Sequence, residues 1–125
     1  FSKPFVKFID KNHNLITDVV IKQQEKLSLS FDARDQTDNN SGIDLELRVY
    51  DVASNQQLPT TIVNSIFGAN SFDSDLTSTI TINTQDTYFN SLKEPGDKIV
   101  LRAEFSRAGG RGKIQNNILN ITVVK

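Results

Sequence analysis

Four aspartates and two asparagines crowd the fourteen-residue stretch FDARDQTDNNSGID, residues 31 to 44. Carboxylate and amide oxygens at that density are what a hard cation such as calcium requires, because it is held by a shell of oxygen ligands. An EF-hand is excluded by spacing, since that loop needs Gly at its sixth position and a bidentate Glu at its twelfth. Counting from Asp32 puts Thr37 and Ile43 there, and counting from Asp35 puts Glu46 at the twelfth position but Asn40 at the sixth. Asp, Asn, Ser and Gly are also the residues that turns select. A solvated turn between two strands is therefore the first reading, and a cation held by Asp32, Asp35, Asp38 and Asp44 is the second.

The segment SRAGGRGK, residues 106 to 113, carries three positive side chains among glycines. Arginine grips phosphate, sulfate and carboxylate groups in bidentate fashion. Arg107, Arg111 and Lys113, with Phe72 as an aromatic contact, thus form a candidate ligand patch for a glycan or an acidic partner. The same segment also suits a hairpin tip, where glycines supply positive φ and charge keeps the tip solvated. No Gly-Lys-Ser/Thr follows, so a nucleotide loop is not expected. The single histidine, His13, sits in the polar run DKNHN, and the chain has no cysteine and no Gly-x-Ser-x-Gly elbow. Nucleophilic triads have little to build on, and although a carboxylate pair among Asp73, Asp75, Glu94 and Asp97 stays open to sequence reasoning, the chain is read as noncatalytic.

These residues need elements to position them, and the hydrophobic period supplies those. Leu27, Leu29, Phe31 and Ala33 alternate with Ser28, Ser30 and Asp32, the pattern of a strand with one buried and one wet face. The same alternation recurs in Ile43–Tyr50, Leu76–Asn83, Ile99–Ser106 and Leu119–Val124. Two weaker strands, Phe5–Ile9 and Asp18–Gln23, flank the turn Asp10–Asn14, as if one strand breaks and resumes on another sheet. Pro59 confines a further strand, Gln57–Val63, to an edge. Residues 64 to 75 show no clear period, and there Phe67 and Phe72 are expected to cap one end of the core rather than to form an exposed patch. Asp86–Leu92 is expected to form one helical turn, with the Tyr88 hydroxyl bonding nearby backbone. About seven short strands at this spacing predict an all-β, immunoglobulin-like two-sheet antiparallel sandwich.

Composition narrows the function classes. The 125 residues fit one domain spanning 1–125. A net charge of −1 with 23% charged residues provides no field for nucleic acid, and no apolar run approaches the length of a membrane-spanning helix. The absence of cysteine excludes a disulfide framework and Cys-based zinc sites. Methionine is absent even at position 1, so the chain is expected to be a processed product or a piece of a longer protein.

The run GDKIVLRAEFSRAGGRGKIQNNILNITVVK, residues 96 to 125, resembles the closing hairpin of bacterial immunoglobulin-like, PKD and cadherin-like repeats: a Gly-Asp turn, a strand, a polar Gly-containing loop and a final strand. FDARDQTDNNSGIDLELRVYD, residues 31 to 51, is similar to the segment of such modules where a strand ends in Asp and a Ser-Gly-Ile turn leads into the next. The resemblance implies an interaction or spacer module of an exported protein, at the cell surface, in the periplasm or secreted. Its partners would be neighbouring domains of a longer parent protein, another protein or a glycan. It further implies two alternatives, a calcium-dependent adhesive module using Asp32, Asp35, Asp38 and Asp44, and a glycan-binding accessory domain using the Arg107, Arg111 and Phe72 patch.

Overall fold

Alternating apolar residues can bury one face of a strand only against a second layer, and two sheets supply that layer to each other. The computed structural model describes residues 5–34, 44–73, 77–107, 114 and 117–125. Its strands are β1 (Phe5–Ile9), β2 (Asp18–Lys22), β3 (Lys26–Arg34), β4 (Asp44–Asp51), β5 (Gln56–Gln57), β6 (Ser71–Asp73), β7 (Thr77–Asn83), β8 (Lys98–Arg107) and β9 (Ile118–Val124), with one α-helix, α1 (Thr60–Phe67). A three-stranded sheet runs in the order β1-β3-β7. The second sheet runs β2-β9-β8-β4-β5, with β6 also on β4. All pairs are antiparallel except β2 with β9. This is the expected all-β sandwich of two mainly antiparallel sheets. Nine strands are described rather than about seven, because β5 and β6 are two and three residues long and too short to carry a period.

The inward rows are those the alternation marks. Leu45, Leu47 and Val49 of β4, Leu101, Ala103 and Phe105 of β8, and Leu119, Ile121 and Val123 of β9 are buried and face Phe31, Ile80 and Ile82 of the opposing sheet within one apolar cluster. On the outer face of the larger sheet, Arg102 lies over the Tyr50 ring at 4.6 Å and pairs with Glu104 at 2.9 Å.

The first strand breaks as anticipated. β1 pairs with β3, whereas β2 crosses to β9 in the other sheet. The break is set by Asp10, whose Oδ1 accepts the backbone N–H groups of Asn12 at 2.8 Å and Asn14 at 2.9 Å. His13 takes a left-handed φ of 62° within this turn and is exposed.

One expected element is corrected. The edge strand Gln57–Val63 is a strand only at Gln56–Gln57, and Thr60 begins a helix that Pro59 precedes. Proline suits a helix start, where its missing N–H has no intrahelical partner to lose. Val63, Ile66 and Phe67 recur at helical spacing and are all buried, with α1 packing against β7 and β4. Gly68 ends the helix at φ 80°, its N–H bonded to the Asn64 carbonyl. That left-handed cap favours glycine.

Candidate functional site

β4 runs from Asp44 to Asp51 and gives the sandwich two poles. At the Asp44 pole, register brings together the ends of five other strands: Arg107 of β8 lies opposite Leu45, Asp73 of β6 opposite Asp44, and Arg34 of β3 opposite Phe5, with Thr77 of β7 opposite Asp32. The sequence-predicted site residues Asp32, Asp44, Phe72 and Arg107 therefore share one end of the molecule. Asp35, Asp38, Arg111 and Lys113 lie outside the described residues.

Sharing a pole is not sharing a site. Phe31 and Leu45 face the core, so the period of two turns Asp32 outward from the smaller sheet and Asp44 outward from the larger one. The two carboxylates stand on opposite outer faces of the sandwich. Asp32 and Arg107 each interact with a neighbouring group. Among the described residues, no group of three or more His, Asp and Glu is placed to hold a metal ion.

Phe72 faces inward, opposite Leu45. Its half-buried ring meets Phe31 edge-on at 5.6 Å and Phe105 edge-on at 5.7 Å. Phe31 and Phe105 approach each other to 4.7 Å, and Phe8 stacks on Phe105 at 5.4 Å. Edge-to-face and offset contacts of this kind add to the burial of the rings. The aromatic cluster closes the core directly beneath the Asp44 pole, with Phe72 as its outermost ring.

At the Asp51 pole the polar side chains organise their own turns. Asp51 accepts the backbone N–H groups of Ala53 at 3.0 Å and Ser54 at 3.4 Å through Oδ1, while its Oδ2 accepts the Tyr88 hydroxyl at 2.9 Å. Burial, then the hydrogen bond to Asp51 and the charge of Asp51, push the Tyr88 phenol up to about 12. Tyr88 lies in the short 3-10 turn Thr87–Phe89, the helical turn anticipated after Asp86, but its hydroxyl bonds a carboxylate and not the backbone. Asp86 caps that turn by accepting the Tyr88 N–H at 2.9 Å and also accepts the Ser65 hydroxyl of α1. Asp97 accepts the N–H groups of Glu94 and Lys93 at 3.0 and 3.1 Å, which hold its carboxyl below the usual range. Asp10 is lowered in the same way, chiefly by the Asn14 N–H. Both shifts run away from neutrality, the reverse of what a general acid needs.

The sequence reading passed over Asp51, Asp86 and Ser65. Asx-turn chemistry, an aspartate two residues before a backbone donor, is the signal that finds Asp51 and Asp86, whereas the Ser65 contact is made only by the packing of α1. A hollow of about 360 Å3 lies beside the start of β2, lined by Leu15, Thr17, Asn117, Ile118 and Asn120. Among the described residues no helix is long and apolar enough to cross a membrane. No protein-family model and no curated protein matches the chain.

Proposed function

We propose that the chain is a noncatalytic interaction or spacer module of a bacterial exported or cell-surface protein. The observation that carries this reading is the opposition of its entry and exit strands. β1 begins at the Asp44 pole beside Arg34, and β9 ends at the Asp51 pole beside Lys22 and Lys98. Sandwiches joined in series through such ends lie end to end, and with a longest strand of ten residues each contributes about 30 Å of reach. The resemblance of residues 31–51 and 96–125 to bacterial immunoglobulin-like, PKD and cadherin-like repeats supports the same reading. On it, the partners are neighbouring domains of a parent protein, with another protein or a glycan met at the Asp44 pole, since loops projected from a rigid scaffold commonly serve recognition.

Small-angle scattering on two copies joined from Lys125 to Phe1 tests the spacer geometry. The expected particle is elongated, with a maximum dimension near twice that of one copy and a single-copy unfolding midpoint. A particle no longer than one copy would sink the reading.

A further inference from the structure

β2 is the terminal strand of the larger sheet, and among the described residues no strand pairs with its outer edge. The parallel ladder to β9 fixes which backbone groups that edge presents. The Asn120 N–H donates to the Thr17 carbonyl at 2.9 Å, and the Gln23 N–H donates to the Val124 carbonyl at 2.7 Å. Backbone groups alternate sides along a strand, so Thr17, Val19, Ile21 and Gln23 face β9. The N–H and C=O groups of Asp18, Val20 and Lys22 face away from it. All three side chains are exposed, and Val20, at 73%, is the most exposed large apolar side chain of the described residues.

Each of the other edge strands has a neighbour beside it or is short. The Ile16 N–H bonds the Phe8 carbonyl and Leu15 bridges Ile9, so the chain folds back along β1. The helix α1 packs against β7, and β5 and β6 are too short to template a partner. β2 keeps five residues, and on its outer edge the Lys22 carbonyl accepts the Glu25 N–H at 3.1 Å, while the groups of Asp18 and Val20 and the Lys22 N–H meet no strand among the described residues, which is a site for strand addition.

We infer that this edge pairs antiparallel with β2 of a second copy of the chain, about a two-fold axis through Val20. The order of its outward residues, Asp18, Val20 and Lys22, is self-complementary in that arrangement alone. Val20 meets the partner's Val20, while Asp18 meets the partner's Lys22 at one end and Lys22 meets the partner's Asp18 at the other. Because the outward backbone groups belong to the same three residues, each of these pairs is a hydrogen-bonded one, with the Lys22 carbonyl taking the partner's Asp18 N–H on the lone pair that Glu25 leaves open. A parallel arrangement sets Asp18 against Asp18 and Lys22 against Lys22, and a slip of two residues loses the ion pairs. Directly opposite charges stabilise a sheet pair and like charges destabilise it, so charge selects the partner and the register. The contact is isologous, as a two-fold dimer requires, and joins two larger sheets into one. It goes beyond the spacer reading and does not depend on it.

One edge strand buries less than the roughly 1,200–2,000 Å2 of a stable interface, so the dimer is a weak one. Sedimentation of the full chain from about 10 μM to about 1 mM is expected to show a monomer that dimerises toward the upper end. Asp18→Lys weakens the dimer by about tenfold by setting lysine against lysine. Adding Lys22→Asp to it restores the dimer, because the reversed order is again self-complementary. Val20→Pro removes an outward N–H but no bond to β9, and is expected to leave a monomer. Each variant is also melted, and the charge variants keep the unfolding midpoint of the unaltered monomer. A monomer at every concentration overturns the inference, and so does a dimer that Asp18→Lys leaves unchanged or that Lys22→Asp does not restore.

Discussion

The two poles of the sandwich are closed by different physics. Beneath the Asp44 pole, Phe8, Phe31, Phe72 and Phe105 form a plug of aromatic rings. At the Asp51 pole, Phe89 and Leu92 are buried, and polar side chains add ties between loops: Tyr88 to Asp51, Ser65 to Asp86, Gln23 to the Phe89 carbonyl at 3.2 Å, and Thr84 to the Glu25 carbonyl. An aspartate there completes a turn by accepting N–H groups that would otherwise lack partners. The lesson for the Asp-rich stretch at the other pole is that carboxylate density in a sequence is first a statement about turns.

The contrast makes a steep prediction about stability. Phe31 is fully buried between three other rings, so Phe31→Ala is expected to cost about 3–5 kcal/mol in denaturant unfolding. Phe72→Ala, at the half-buried rim, should cost roughly half as much. Equal losses would mean that the plug is not layered from core to rim, and would break the comparison at its stronger side.

A smaller effect sharpens the polar side. Tyr88→Phe deletes the bond to Asp51 and is expected to cost about 1 kcal/mol, since the partly buried, charge-assisted contact is screened by solvent. The folded phenol is raised from 10.0 to about 12, so the folded state holds that proton more tightly than the unfolded chain. Its contribution is fully present below pH 10 and is lost as pH rises from 10 to 12. A stability profile of the unaltered protein should fall across that window, and Tyr88→Phe should flatten it. An unchanged alkaline limb would show that the hydroxyl is not tied to Asp51.

The smallest expected effect is none. If the aspartates of residues 31–44 complete a turn as Asp10, Asp51, Asp86 and Asp97 do, the unfolding midpoint is the same in millimolar calcium and in EDTA. A rise on the order of 10 °C in calcium, the size that saturating occupancy produces in a domain of this length, would make the Asp44 pole a cation site. The two poles would then differ in function as well as in packing.

Legibility followed the length of each periodic run. β3, β4, β8 and β9 could be read because seven to ten residues of alternation have no other economical structure. α1 was hidden by its own composition: Thr60, Thr61, Ile62 and Val63 are β-branched and follow a proline, which reads locally as an edge strand. Eight residues are too few to make a helix by propensity. Burial of Val63, Ile66 and Phe67 against β7 and β4 overrode that preference, as tertiary packing often does. The candidate site was legible only as two separate polar segments, because no local pattern states that the ends of β3 and β8 reach the same pole.

By itself, then, the sequence determined which faces of the long strands are buried and that the first strand breaks at the Asp10–Asn14 turn, since both depend on neighbours within a few residues. Only the tertiary structure decided the rest: that Asp32 and Asp44 face opposite ways, that Phe72 joins the aromatic plug, that Tyr88 finds Asp51, and that no described strand pairs with the outer edge of β2. Each depends on which strands become neighbours across the sheets, and strand order is settled by the joint burial of residues far apart in the chain.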